Sequence, residues 1–118
     1  MAIRKLRILE ACGSTTVIGT QTFDAKADKL LSADERADLE FALARDPEAH
    51  PAIPGLSGVR KARFGRLGTG KRGGVRVICF YAIVAEEVLL LAIYAKNERE
   101  DLSNDEKKQI KRFIEALF

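Results

Sequence analysis

Two apolar segments separated by a short turn constrain the fold of this chain most strongly. Residues Val75–Val84 and Val88–Tyr94 are dominated by β-branched, aliphatic and aromatic residues, and Ala85, Glu86 and Glu87 between them suit a turn. Together the segments approach the length of a membrane span, but the two glutamates would then lie near the bilayer centre at high cost. We therefore predict a buried β-hairpin at the centre of a sheet.

Two helices are predicted ahead of this hairpin. The first begins at about Thr22 and carries apolar residues four, seven and eight positions after Phe23. Ser32 and Glu35 form a capping box that opens the second helix, and Pro47 prevents its continuation. Because the connection is short, we expect the two helices to form an antiparallel pair.

A third helix and two further strands complete the predicted fold. Ser103 and Glu106 form a second capping box, which is followed by apolar residues at helical spacing with lysines on the other side. Residues Val59–Phe64 suit a strand, and residues 15–20 suit a strand at the edge of the sheet. The pattern predicts an α+β domain with a small antiparallel-rich sheet, two N-terminal helices and one C-terminal helix.

Charge is distributed very unevenly along the chain. Residues 1–48 carry seven basic and nine acidic side chains, residues 49–85 carry seven basic and no acidic ones, and residues 86–118 carry six and eight. A segment of charge +7 inside a folded domain indicates a surface that binds a polyanion. The basic side chains of this segment are Arg60, Lys61, Arg63, Arg66, Lys71, Arg72 and Arg76.

The glycine-rich segment 65–72 nearly matches a phosphate-binding P-loop but departs from it twice. Arg72 stands where the motif needs a Ser or Thr for magnesium, and a strand pattern follows where the motif needs a helix. We therefore interpret the segment as a turn between two strands. His50, the one histidine, is interpreted as a loop residue, and with two cysteines it assembles neither a catalytic triad nor a metal site. No metal or other cofactor is expected, and the low cysteine count is typical of reduced thiols in the cytoplasm.

The remaining candidate for chemistry is the set of basic side chains on the predicted strands. If the hairpin turns at residues 85–87, the numbers of paired residues sum to about 172, and Arg76 lies across from Lys96. The strand Val59–Phe64 can then lie beside Arg76. Such a patch could bind or cleave RNA. Cleavage requires a base for the ribose 2′-hydroxyl, cations for the phosphorane and a proton donor for the 5′-oxygen, which lysine and arginine can supply. Binding without chemistry and a merely solvated basic face remain alternatives.

Three segments of this sequence together resemble the RelE superfamily of bacterial toxins, especially its HigB-like branch. They are GLSGVRKARF, GKRGGVRVICFY and LLLAIYAKNEREDLSNDE, and the likeness spans about residues 56–106, extending back through the helices to about Val17. The resemblance implies a RelE-like fold and a type II toxin that enters the ribosomal A site and cuts messenger RNA. It also implies neutralisation by a cognate antitoxin, for which we expect a helix-turn-helix protein with an acidic segment.

The resemblance also implies roles for individual residues. Lys61, Arg63, Arg76 and Lys96 correspond to the catalytic positions, with Lys61 or Lys96 as the candidate base and the two arginines stabilising the phosphate. Arg60, Arg66, Lys71 and Arg72 are expected to bind nucleic acid. Asn97 stands where a second basic residue is usual, and no tyrosine follows near Ser103.

The resemblance leaves residues 1–14 outside the toxin domain, which we therefore assign to residues 15–118. The first 14 residues are interpreted as an extension or as the product of an upstream start codon. Two other functions remain open at this point. One is a ParE-like toxin that inhibits DNA gyrase, and the other is an RNA-binding protein without catalytic activity.

Overall fold

The computed structural model describes residues 3–8, 15–65, 74–99 and 101–117. Five strands form one mixed sheet in the order β1-β2-β5-β4-β3, and three helices pack against it, which confirms the predicted α+β class. The elements are β1 (Ile3–Ile8), β2 (Thr16–Thr20), α1 (Gln21–Leu30), α2 (Ala33–Arg45), β3 (Arg60–Phe64), β4 (Val75–Ala82), β5 (Glu87–Ala95) and α3 (Asn104–Leu117). None of the helices in these ranges is long and apolar enough to cross a membrane.

Both predicted capping boxes are present. The Ser32 hydroxyl accepts a hydrogen bond from the Glu35 backbone N–H at 3.1 Å, and the Glu35 carboxylate accepts from the Ser32 N–H at 2.8 Å. Ser103 and Glu106 make the same reciprocal pair at the start of α3. These local bonds satisfy N–H groups that an α-helix leaves without partners at its first turn, so α2 and α3 begin where the sequence indicates.

The central hairpin is confirmed, but its predicted register is wrong. Arg76 lies opposite Tyr94, and Lys96 follows the end of β5, where its N–H donates to the Gly74 carbonyl at 3.0 Å. The turn occupies residues 83–86, one or two positions earlier than predicted. A β-bulge then places Leu91 between the residues that pair with Ile78 and Cys79.

The strand predicted at the edge of the sheet is internal. Strand β2 pairs parallel with β5 on one side and antiparallel with β1 on the other. Its residues from Val17 to Thr20 are all buried, as an internal strand requires. Strand β1 lies within residues 1–14, the segment assigned to an extension, so part of that segment pairs with the sheet.

The two faces of the sheet are covered by different helices. Helices α1 and α2 pack on one face around Phe23, Leu43 and Val77, whereas α3 packs Ile110 and Ile114 on the other face against Ile78, Leu89 and Tyr94. Cys79 is buried on the first face, and burial raises the pKa of its thiol to about 12. Each basic residue of β3 and β4 therefore has a defined side of the sheet.

Gly74, which precedes β4, provides a test of how tightly β3 and β4 are joined. Its φ is +86°, and a Cβ there would lie 2.2 Å from the backbone carbonyl oxygen of Phe64. Gly55 has a similar φ of +80° with nothing within 4 Å of a built Cβ. Gly55→Ala should thus lower the free energy of unfolding by about 1 kcal/mol, through backbone strain alone. Gly74→Ala should lower it by about 1–3 kcal/mol more, because neighbouring backbone must also move. Chemical denaturation measures both, and equal losses would contradict this packing.

Candidate nucleic-acid site

Three of the predicted catalytic residues lie on one face of the sheet. Arg63 and Arg76 are directly opposite each other on β3 and β4, and Arg76 is in turn opposite Tyr94 on β5. Opposite residues of antiparallel strands project to the same side, as do residues two apart along one strand, which adds Lys61. Since Tyr94 packs in the cluster beneath α3, all three cations belong to the α3 face.

These three side chains lie at different depths. The Arg76 residue is only 7% exposed, the Lys61 side chain is 13% exposed, and Arg63 is exposed. Charged groups of this kind interact more strongly with a phosphate where water is partly excluded. The arrangement thus offers a recessed guanidinium and ammonium group with a second guanidinium at the surface beside them.

Lys61 is held by an acidic residue that the sequence analysis did not single out. Its Nζ donates to Oδ1 of Asp101 at 2.6 Å. The pKa of the Asp101 carboxyl is lowered, chiefly by its hydrogen bond and charge interaction with Lys61, and further by the charges of Lys107 and Arg63. Asp101 therefore lies within the cationic cluster, facing groups from both β3 and α3.

A second ion pair holds Arg99, two residues before Asp101 in the chain. Arg99 donates from both terminal nitrogens to the two carboxylate oxygens of Glu106, one of them at 2.8 Å, and its guanidinium lies 4.7 Å from the centre of the buried Tyr94 ring. Leu102 is buried on the same side. Arg99 and Leu102 are consequently held on the face of the sheet that carries Tyr94 and Arg76.

The stabilising effect of this second pair depends on pH. Arg99 lowers the pKa of Glu106 to about 2, so the carboxylate stabilises the fold above its ordinary pKa of 4.5 and loses this effect as the pH falls towards 2. Glu106→Gln keeps the cap but removes the charge, and should cost about 1–2 kcal/mol at pH 7 once solvent screening is allowed for. Denaturation at pH 7 and pH 2.5 should show that the difference in free energy of unfolding between the wild-type protein and Glu106→Gln shrinks in acid. Glu115→Gln, at an exposed position, is the control. An equal loss at both pH values would contradict this account.

The other predicted site residues occupy different positions. Lys96 is exposed just beyond β5 and opposite Gly74, at the end of the sheet where Arg76 lies. Arg60 does not join the cluster, because it alternates with Lys61 on β3 and its guanidinium donates to the backbone carbonyls of Glu48 and His50 at 3.3 and 2.7 Å. Arg66, Lys71 and Arg72, with the glycine-rich segment, lie outside the described residues.

The geometry therefore brings together part of the predicted site and adds acidic and aromatic members to it. Asp101, Arg99 and Tyr94 were not singled out by the sequence analysis, because no local pattern marks them; the adjacent carboxylates Glu100 and Asp101 simply precede the second capping box. Together with the cations, this face can bind a phosphodiester through guanidinium groups and can also supply a proton donor and a carboxylate.

Comparison with known proteins agrees with the resemblance in the sequence. The family described as the RelE toxin of the RelE/RelB toxin–antitoxin system matches residues 52–118, more than half of the chain. The matched region contains β3, β4, β5 and α3, and hence Lys61, Arg63, Arg76, Lys96 and Asp101. A cognate antitoxin follows as the partner that such a toxin has. This protein belongs to the RelE family of toxins of type II toxin–antitoxin systems.

Proposed function

We propose that this toxin is a ribosome-dependent endoribonuclease that cuts messenger RNA in the ribosomal A site and so arrests translation. The observation that carries the proposal is the cross-strand pair of Arg63 and Arg76 with Lys61 on the same face of the sheet. Three cations on one face are suited to hold the phosphate between two nucleotides. The HigB-like features of the sequence favour that branch of the family.

The reaction would begin with attack of a ribose 2′-oxygen on the adjacent phosphorus. Arg63 and Arg76 would bind the non-bridging oxygens and stabilise the additional negative charge of the phosphorane. Lys61, which donates to Asp101 as an ammonium group, has a proton to give to the leaving 5′-oxygen. The same ion pair argues against Lys61 as the base. Lys96, the other lysine considered as a base from sequence, is exposed beyond the end of β5, and we assign it to contact with the RNA backbone.

This mechanism uses side-chain cations in the roles that a divalent metal ion has in other nucleases. We therefore expect cleavage to require no divalent ions beyond those that the ribosome itself needs. Outside the reacting phosphate, Lys96 and the basic residues Arg66, Lys71 and Arg72 are proposed to contact the RNA backbone. Such contacts would give binding that weakens steeply with salt.

The antitoxin is proposed to be a helix-turn-helix protein with an acidic segment. Positive charge on the α3 face attracts an acidic partner, so association should be fast and should slow as salt rises. Binding of toxin and purified antitoxin can be followed by stopped-flow fluorescence at low and high salt. An association rate constant independent of salt would contradict an electrostatic role for this surface.

The proposed function is tested by inducing the toxin in growing bacteria and following three signals. We expect incorporation of labelled methionine to stop first, incorporation of thymidine to continue, and primer extension to reveal new ends within translated regions of messenger RNA. The control culture expresses the toxin together with its antitoxin. Intact messenger RNA with induced DNA damage would instead support a gyrase inhibitor, and bound but uncut RNA would support a protein without catalytic activity.

A further inference from the structure

Asp101 is a carboxylate in a surface that attracts phosphate, and this requires an explanation. Its Oδ1 lies 2.6 Å from Lys61 Nζ, and Arg63 and Lys107 are close enough to act on its charge. A negative charge beside the bound phosphate weakens RNA binding. A partly exposed ion pair of this kind also adds little to folding stability. Neither binding nor stability therefore accounts for an acidic group at this position.

The carboxylate is both fixed and accessible. Arg99, two residues before it, is held by its ion pair with Glu106, and Leu102, directly after it, is buried. The Asp101 side chain is nevertheless 67% exposed, so a ribose hydroxyl can reach it without movement of the backbone. The carboxylate is ionised at neutral pH, which is the form that accepts a proton; the cations that lower its pKa make it a weaker base, so its role depends on its position beside Lys61.

We propose that Asp101 is the general base of RNA cleavage and acts as a pair with Lys61, the general acid. This inference rests on the proposed nuclease function. The Asp101 carboxylate takes the proton of the 2′-hydroxyl while the 2′-oxygen forms its bond to phosphorus. The bond from phosphorus to the 5′-oxygen then breaks, and Lys61 protonates that oxygen, which leaves a 2′,3′-cyclic phosphate and a 5′-hydroxyl. The proton on Asp101 returns to Lys61 across their hydrogen bond, and both groups recover their charges.

The test compares Asp101→Asn with Asp105→Asn, which removes an equal charge from an exposed residue in the first turn of α3. Single-turnover cleavage is measured on ribosomes programmed with messenger RNA, together with the concentration dependence of the rate. We expect D101N to slow cleavage by about 10²–10⁴-fold with RNA binding equal or tighter, whereas D105N cleaves normally. D101E, which keeps a carboxylate, should recover part of the rate.

A modified substrate separates a base from a residue that only positions Lys61. Replacing the bridging 5′-oxygen by sulfur gives a leaving group that needs no proton. This substrate should restore cleavage by Lys61→Met but not by D101N. Rescue of D101N to the same extent, or cleavage of normal RNA by D101N at the wild-type rate, would overturn the assignment of Asp101. If the wild-type protein itself cuts no RNA, the proposed function fails and the assignment fails with it.

Discussion

Replacing Arg76 by alanine should lower the rate constant of messenger RNA cleavage by about 10²–10³-fold and abolish growth arrest. Arg76 is the most buried of the three clustered cations, and it lies between Arg63 and Tyr94 on neighbouring strands. A guanidinium held there is in place before the phosphorane forms, so its loss removes stabilisation that water replaces poorly. Single-turnover cleavage on programmed ribosomes measures the effect.

Two variants control for trivial causes of this loss. Arg112→Ala removes the same kind of side chain from an exposed position on α3 and should cleave normally. Arg76→Lys keeps the charge without the two-pronged hydrogen bonding of a guanidinium, and should have an intermediate rate. Circular dichroism and capture by the antitoxin should show that Arg76→Ala remains folded. A folded Arg76→Ala protein that still arrests growth would exclude Arg76 from the catalytic site.

Replacing Arg36 by methionine should destabilise the fold by about 3–5 kcal/mol. Its guanidinium, in a side chain only 14% exposed, joins α1 to α2 through Asp24 at 2.7 Å and contacts Glu40 at 3.4 Å. It also lies 5.3 Å from the centre of the Phe23 ring. Methionine fills similar space but removes the positive charge beside two buried carboxylates. Urea denaturation at pH 7 measures the loss.

Arg45→Met is the matched control for this substitution. Arg45 is also on α2 and also lies over an aromatic ring, at 5.7 Å from the centre of Phe41, but both residues are exposed. Its loss should cost less than about 1 kcal/mol. Glu40→Gln added to Arg36→Met should recover part of the stability, because one buried charge is then removed. Equal costs for Arg36→Met and Arg45→Met would contradict the view that the α1–α2 pairing depends on buried charge.

The parts of the fold that could be predicted from sequence are those with local causes. The starts of α2 and α3 depend on Ser32 with Glu35 and on Ser103 with Glu106, pairs three residues apart that satisfy helix N–H groups. The strands of the hairpin could be predicted because their side chains are apolar. Their register could not, since the bulge at Leu91 and the start of the turn after Ala82 have no composition signal.

In the candidate site, too, the features with a local sequence pattern could be predicted and those that depend on distant contacts could not. Most of its cations were visible as a segment without acidic residues, and the strand assignment placed Val59–Phe64 beside Arg76, but the direct pairing of Arg63 with Arg76 comes from the structure. The contact between Lys61 and Asp101 joins residues 40 positions apart and depends on how α3 docks on the sheet, which no local pattern encodes. The burial of Asp24 and Glu40 was missed for a related reason, because charged residues on a helix are usually exposed unless a distant partner covers them.

Cleavage of a single defined linkage tests the central claim most directly. Ribosomes are programmed with two messenger RNAs that differ only in the 2′-position of the nucleotide on the 5′ side of the cut, which carries a hydroxyl in one and hydrogen in the other. Our account predicts that the toxin cuts the first and leaves a 2′,3′-cyclic phosphate, and that the second stays intact while still competing for the toxin. Cleavage of the deoxy linkage, or no cleavage of either RNA, would contradict it.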